Sequence, residues 1–409
     1  MTIRLIICMW AVMLVAPSVV SGIYIWVPTD QPTIQAGIDA AIDGDTVMVL
    51  AGTYSGPGNR DIDFKGKKIW VYGFGGADQT IIDCGGTSTE LHTGFIFQNN
   101  EDSTCLLTGF TIKNAWYPLQ QDNSGAIIIK GSSAPVISFC TIAGNHANGI
   151  AVTGPSTVKF LRLQISSNDG WGIWMPMYPY LSVGVRIEEC RIDHNLLGGA
   201  IVTRAVESTF VTRNTIVENG GHGLFLQGDL PARMQSVAWD TTTIIERNVF
   251  AFNAGKGIYA MGYFPGCQYH YNNLFGNKSG DGVGYSADTL CNITADPLFC
   301  RQASSQPYGL AANSACLAAN NVCGVDMGAF GQECPSCCIG FRGNVDCDPS
   351  GNSDISDLSR LIDYLFISFT PLCCVEEANI DGTGSIDISD LSRLIDYLFI
   401  NLYPPASCP

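Results

Sequence analysis

Residues 137–149 read ISFCTIAGNHANG, and the spacing within them decides the fold. Counting from Ile137, apolar residues stand at offsets 0, 3 and 5 (Ile137, Cys140, Ile142), an asparagine at offset 8 (Asn145) and a glycine at offset 12 (Gly149). The frame returns as Phe160, Leu163, Ile165, Asn168, Gly172, then as Ile187, Cys190, Ile192, Asn195, Gly199. It returns again as Val211, Asn214, Ile216, Asn219, Gly223 and as Ile245, Asn248, Phe250, Asn253, Gly257. Tyr269, Asn272, Leu274 and Asn277 make a partial copy, and Leu107, Phe110 and Ile112 a degenerate earlier one. From Ile137 on, the copies start 23, 27, 24, 34 and 24 residues apart. A unit that short cannot bury its apolar side alone, whereas stacked units share one continuous core. The reading is therefore an all-β solenoid whose coils carry a buried ladder of asparagine amides, each bonded to turn backbone and to the amide one coil away. Cys140 and Cys190 occupy one ladder position two coils apart, about 10 Å at ordinary strand spacing, too far for a disulfide. They are expected to be buried thiols.

Composition agrees. Of 409 residues only 14 % are charged, and 45 are glycine and 19 proline, which suits turns and short strands rather than long charged helices. Lys and Arg number 21 against 37 Asp and Glu, a net charge of −16 that argues against a nucleic-acid partner. Arg4 precedes an apolar run over residues 5–16, followed by Pro17 and small residues ending at Ser21 and Gly22. Residues 1–22 thus read as a cleaved signal peptide, and the mature chain is expected to be secreted, extracellular or at the cell surface, without membrane insertion. Of the 17 cysteines, Cys8 leaves with the signal and nine fall in residues 316–408. Disulfides are the expected state there, ahead of a zinc cluster, since no histidine accompanies them.

Three stretches extend the repeat into a family resemblance: VPTDQPTIQAGIDAAIDGDTVMVLAGTY at 27–54, IDFKGKKIWVYGFGGADQTIIDC at 62–84, and the Asn-Gly coils. Over residues 24–331 the chain resembles the right-handed parallel β-helix proteins of the pectate-lyase-like superfamily, with DPLFC from Asp296 and CGVDMGAFG from Cys323 similar to their closing coil. Ile34, Ile38 and Ala41 predict a short helix, opened near Asp30 and Pro32, that plugs the first coil.

The C-terminus carries a second repeat. Residues 354–367 and 387–400 both read DISDLSRLIDYLFI. Before the second copy, Asn379, Asp381, Thr383, Ser385, Asp387 and Asp390 stand at positions 1, 3, 5, 7, 9 and 12 of an EF-hand-type loop, a set of hard oxygen donors suited to Ca2+. The first copy offers Asn344, Asp346, Asp348, Asn352, Asp354 and Asp357, interrupted by Pro349 and Ser350. Leu358, Leu361, Ile362, Leu365 and Leu391, Leu394, Ile395, Leu398 then follow a helical spacing, giving two helices able to pack together. Two such loops, each followed by one helix, resemble a dockerin, the small α-helical EF-hand-like module that docks exported polysaccharide-degrading enzymes onto cohesins. The resemblance places a Cys-rich linker at 332–342 and the calcium-binding module at 343–409. It implies a cohesin-like or cell-surface docking partner, contacted through Ile355 and Ser356 in one copy and Ile388 and Ser389 in the other.

Chemistry in the solenoid is expected on the strands after each glycine. Their outward positions are Ala151, Trp174, Ile201, Phe225 and Tyr259 in one row and Thr153, Pro176, Thr203, Gln227 and Met261 in the next, which reads as an exposed apolar ladder. Neither row holds an acid, which counts against the calcium-dependent lyase chemistry of the family. Longer coils at 177–183 and 228–241 leave the same strand edge and would wall a groove. Tyr178 and Tyr180 come from one wall and Asp229, Arg233, Trp239 and Asp240 from the other, with Arg204 between. Rings beside carboxylates suit a polysaccharide, with Asp229 and Asp240 as the catalytic pair of a glycoside hydrolase, ahead of a polysaccharide lyase. Two alternatives stand beside this reading: the loops fold down over Trp174, Phe225 and Tyr259 as a satellite core, or the protein is a non-catalytic surface or adhesive rod. The triplet Gly221, His222, Gly223 falls on a turn and reads as surface. Arg162, Glu189 and Arg213 read as a surface salt ladder, and His146, His194 and His270 fit no pattern.

Overall fold

Each copy of the frame supplies three short strands, and in the computed structural model each strand pairs in parallel with its counterparts in the coils on either side. The structure describes residues 22–119, 121, 124–154, 157–175, 184–203, 208–227, 243–261, 267–280, 291–300, 306–334, 338, 341–348, 351–370 and 372–408. Sheet A has ten strands, from Tyr24–Val27 to Cys267–His270; sheet B has nine, from Gly52–Ser55 to Asn273–Phe275; sheet C has eight, from Ile62–Asp63 to Ile258–Met261. The sequence frame is the observed register. At offset 0, Ile137, Phe160, Ile187, Val211, Ile245 and Tyr269 are partners across sheet A. At offset 5, Ile142, Ile165, Ile192, Ile216, Phe250 and Leu274 are partners across sheet B. All of these are buried, so the sheets enclose one continuous apolar core.

The corners between sheets follow from backbone geometry. Phe139, Arg162, Glu189, Arg213, Arg247 and Tyr271, at offset 2, all have φ between 49° and 58°. Ser167, His194, Glu218 and Phe252, at offset 7, repeat this at 55° to 57°. A left-handed non-glycine residue costs roughly 1–2 kcal/mol, and where an asparagine follows, at offset 8 in each of these coils and at offset 3 from Asn214 onward, it offsets that cost by bonding the polar groups the corner would strand. Asn195 Nδ2 donates to Ile165 O at 3.0 Å and to Asn219 Oδ1 at 3.0 Å, while its Oδ1 accepts from the backbone N–H and the amide of Asn168. The pattern runs unbroken from Asn145 through Asn168, Asn195, Asn219 and Asn253 to Asn277. A second ladder starts at the offset-3 corner, where Cys190 N donates to Asn214 Oδ1, and continues through Asn248 and Asn272 to Asn292. Earlier in that row Cys140 and Cys190 are free, buried thiols, pushed up to about 12 by burial and so unreactive.

Both ends of the stack are closed. Helix α1 (Ile34–Ala40) buries Ile34 and Ile38 against the first coil, and Gly37 packs so tightly that a Cβ there would lie 2.8 Å from Val47. It opens, as expected, near Pro32: its N-cap is Thr33, whose hydroxyl accepts from Ala36 N at 3.2 Å, while Asp30 accepts from Trp26 N at 2.8 Å. At the other end the chain adds one bridge, Asn273 to Ile293, and then turns back along the outer face of sheet B. There Phe299, Tyr308, Leu310, Leu317 and Met327 cover Val217, Val249 and Ala251. Disulfides Cys291–Cys323 and Cys300–Cys334 hold this cover.

The C-terminal segment contains helices α2 (Ile355–Ile362), α3 (Val375–Ala378) and α4 (Ile388–Ile395). Leu358 and Leu361 of α2 pack with Leu391 and Leu394 of α4 around Val345, Leu372, Ala378 and Ile380. Disulfides Cys338–Cys408 and Cys347–Cys373 staple the segment, and Cys374 is disulfide-bonded too. Cys338 and Cys408 approach Glu377, but a disulfide leaves no thiolate there for zinc. Asn313 Nδ2 donates to the Glu376 carboxylate at 2.8 Å and links segment to solenoid. Among the described residues no helix is long and apolar enough to cross a membrane.

Replacing one rung tests the ladder. Asn219→Ala strands the two donors of Asn195 and removes three bonds made by its own amide, so it should lower stability by about 3 kcal/mol in urea unfolding. Lys159→Ala, on the outer face of sheet A, should change it by less than about 0.5 kcal/mol.

Candidate functional sites

On sheet C the outward row stands in the expected register: Ala151 pairs with Trp174, Ile201 with Phe225, and Phe225 with Tyr259. It is not an open ladder throughout. Ala151 is fully buried and Ile201 is 8 % exposed, while Trp174, Phe225 and Tyr259 are half-buried. Phe225 and Tyr259 stack with centroids 5.2 Å apart and planes 23° apart.

Two further rings join them, Trp171 at the first residue of Trp171–Trp174 and His222 two residues before Leu224–Gln227. Trp171 lies 6.4 Å from Phe225 and reaches it across Gly198, where a Cβ would fall 2.2 Å from the indole. His222 lies 4.6 Å from Tyr259 and 5.9 Å from Phe225. It is thus part of a ring cluster rather than a detached surface turn. His222 Nδ1 accepts from Lys256 N at 2.9 Å, which leaves Nε2–H as the donor of a neutral ring. Burial, reinforced by the Lys256 charge, holds the imidazole below its ordinary pKa. Lys256 Nζ lies 5.2 Å from the Tyr259 centroid. Sequence reasoning read His222 as surface because it shares offset 11 with Trp171 and Lys256 at the turn into the sheet; Trp171 in fact opens the strand Trp171–Trp174, and His222 and Lys256 stand two residues before theirs. Tyr178, Tyr180, Arg204, Asp229, Arg233, Trp239 and Asp240 lie outside the described residues.

Sheet B carries a polar cluster under the returning cover. Asp193, 2 % exposed, takes two bonds from Arg191 at 2.6 and 3.2 Å and one contact from His194 Nδ1 at 2.8 Å. His194 Nε2 lies 3.2 Å from Glu218, and Tyr308 O–H donates to Glu218 at 2.7 Å. The Asp193 contact, with the Glu218 charge behind it, raises the His194 pKa, and burial raises that of Tyr308. Through the Tyr308–Glu218 bond the cluster acts as a clamp that fastens the cover. The salt ladder is present as expected: Glu189 bonds Arg162 at 2.6 Å and Arg213 at 3.4 Å, and the Arg162 bond foremost lowers its pKa.

In the C-terminal loops the two acids at position 12 are buried. Asp357 accepts from Asp346 N and Asp354 N at 3.0 and 2.7 Å, and Asp390 from Asp381 N and Asp387 N at 3.2 and 2.9 Å. Burial, with the neighbouring Asp346 charge, pushes Asp357 up to about 6; burial, with Asp381 and Asp387, raises Asp390. Asp354 and Asp387 also cap α2 and α4, each in a full capping box with the acid at position 12. The first positions differ. Asn344 exchanges bonds with Asp348 at 3.0 Å, whereas Asn379 Oδ1 is buried with no hydrogen-bond partner. Asp381 Oδ1 accepts from Thr383 N and Oγ1, and Ser385 and Asn352 are exposed. Ile355, Ser356, Ile388 and Ser389 are exposed at the two helix starts, Ile355 and Ile388 at 60 and 62 %.

Comparison with known proteins gives a family and a fold. The family described as the right-handed β-helix region matches residues 69–229 and 125–295, more than half of the chain. The crystal structure of pectate lyase Pel9A superposes with a TM-score of 0.50 at 16 % identity, covering 73 % of this chain and 90 % of that one. The A-module of Azotobacter vinelandii mannuronan C-5 epimerase AlgE4 gives a TM-score of 0.34 at 15 % identity, covering 60 % and 73 %. Comparison with curated proteins finds no match.

The clamp on sheet B makes stability pH-dependent. A histidine whose pKa is raised on folding contributes fully below its unfolded value, about 6.5, and loses that contribution as pH rises through the folded value. Thermal midpoints should therefore fall as pH is raised from about 6 to about 8, and His194→Ala should flatten that slope.

Proposed function

The chain belongs to the right-handed β-helix family, and from that premise we propose that it is an exported protein that binds polysaccharide on the ring cluster of sheet C. The observation that carries the reading is the grouping of Trp171, His222, Phe225 and Tyr259, whose rings lie 4.6 to 6.4 Å apart on one half-exposed face. Apolar sugar faces stack on such rings, and the Nε2–H of a neutral His222 donates to a hydroxyl oxygen. Trp174, Tyr178, Tyr180, Arg204 and Trp239 extend the binding surface in this reading, and Asp229 and Asp240 supply acid and base if the bound chain is cleaved. The absence of acids from both outward rows favours binding, and with it the alternative of a non-catalytic surface or adhesive protein.

The C-terminal segment, in the same reading, is a calcium-dependent dockerin-like tether. The residues fit a hard cation: the unpartnered Asn379 Oδ1 and the buried Asp390 carboxylate are what a bound cation would compensate. Asn379, Asp381, Thr383, Ser385, Asp387 and Asp390 would hold one ion, and Asn344, Asp346, Asp348, Asn352, Asp354 and Asp357 a second. Two bound Ca2+ would offset half the net charge of a segment that carries eleven acids against three arginines over residues 339–409. Ile355, Ser356, Ile388 and Ser389 then present two equivalent surfaces to a cohesin-like or cell-surface partner.

Two experiments test the parts separately. Phe225→Ala with Tyr259→Ala should weaken retention on the polysaccharide that the protein binds by about tenfold, at about 0.5–1.5 kcal/mol per ring. New reducing ends that vanish in Asp229→Asn or Asp240→Asn would establish hydrolysis, and unsaturated ends would establish lyase chemistry. Adding Ca2+ should raise the unfolding temperature of the C-terminal segment, and a chelator should reverse it. Asn379→Ala should reduce that rise, and without metal it should lower stability by no more than about 1 kcal/mol, since Oδ1 makes no bond and only the 3.3 Å bond from Nδ2 to Gly384 O is lost.

A further inference from the structure

The outer face of sheet A carries a second group of rings that the site on sheet C does not use. Along its first four strands, Tyr24, Thr46, Trp70 and Leu106 form one outward row, and Trp26, Met48, Tyr72 and Thr108 the next. Alternation forces these side chains outward, because Ile25, Val47, Val71 and Leu107 between them fill the core. Tyr24, Trp70 and Tyr72 are 65, 54 and 38 % exposed, and Phe74, just beyond Trp70–Gly73, is 54 % exposed. Trp26 and Tyr72 meet Phe74 edge to face, with centroids at 5.5 and 6.4 Å, so the rings are braced.

Past Tyr72 the second row deepens into a groove of about 610 Å³. Thr108 and Ser138, joined by a 3.1 Å hydrogen bond, line it beside the turn at residues 76–78, which Thr111 Oγ1 anchors by donating to Ala77 O at 2.7 Å. Phe139, 53 % exposed with the Arg162 guanidinium 5.3 Å from its centroid, lines it as well.

Charge identifies the occupant. The chain carries −16, yet none of the eight outward positions on these four strands is charged. A charged polymer finds no counter-charge on the rows, and in the groove beyond them the exposed Asp78 would repel an anionic chain while Arg162 is already paired with Glu189 at 2.6 Å; a neutral sugar chain needs only ring faces and hydroxyl partners. Tyr24 and Trp70 stand two strands apart, about 10 Å, a span that sugars two residues apart in an extended chain can bridge.

We propose that this face of sheet A is a separate site for a neutral polysaccharide, stacked on Tyr24, Trp70, Tyr72 and Phe74 and continued into the groove beside Thr108 and Ser138. Affinity electrophoresis of the full chain tests it, with hydroxyethylcellulose, mixed-linkage β-glucan and galactomannan as neutral probes and polygalacturonate as the charged one. At least one neutral probe should retard the protein. Trp70→Ala should weaken that binding by about tenfold, at up to about 1.5 kcal/mol per ring; Trp70→Phe should retain most of it, and neither should shift the unfolding temperature. Phe225→Ala with Tyr259→Ala should leave this binding in place, so failure of the sheet C site would not be mistaken for failure of this one. The proposal is overturned if no neutral probe retards the protein, or if Trp70→Ala binds as the parent does. It is equally overturned if sedimentation shows Trp70→Ala separating a dimer into monomers, which would make the face a contact between copies.

Discussion

The structure depends on how a buried corner satisfies its backbone. Each coil bends twice through left-handed residues, and a bend of that kind leaves N–H and C=O groups without strand partners in an interior that cannot hydrate them. An asparagine just after the bend answers all of them together: its amide donates to a carbonyl one coil back and to the next amide, and its oxygen accepts two donors from the previous rung. The rungs bond to one another, so no coil can slip by one residue without breaking contacts in both neighbours. That locking sets the strand register, and the register places each outward side chain in a row.

Much of the solenoid was legible for that reason. Positions 0, 5 and 8 of the frame must be filled in every coil, and their period survives insertions of up to ten residues between them. The helix over the first coil was legible from Ile34 and Ile38 and its opening near Pro32 with it, although the capping residue itself, Thr33, was not singled out, since Asp30 could cap equally well until the preceding strand ties it to Trp26. The identical C-terminal stretches showed their helices plainly, because the same sequence closes the same capping box twice.

The ring clusters were harder to read. Trp171 and Phe225 are 54 positions apart and meet only because Gly198 lets an indole lie across the intervening coil. His222 looks like a turn residue in one dimension and becomes a ring partner only when Tyr259 is stacked beside it. The rings of sheet A lie in a stretch that reads as ordinary β-helix; alternation shows that they point outward but says nothing about what surrounds them. Long-range meetings of side chains on a flat face have no period of their own, which is why a repeat frame locates faces better than it locates sites.

The two ends of the stack differ in kind. At the first coil the lid is a seven-residue helix held by packing, hydrogen bonds and the Asp39–Lys65 ion pair, whereas at the last the returning chain is bolted through Cys291–Cys323 and Cys300–Cys334 and the segment beyond it through Cys338–Cys408 and Cys347–Cys373. A pulling force entering at the C-terminus therefore meets the Cys338–Cys408 bridge first, which locks a 70-residue span out of extension, and the coils it reaches are joined side by side through parallel ladders rather than end to end. Such a molecule is mechanically polarised: stiff where the chain leaves the stack and weakest at the opposite lid.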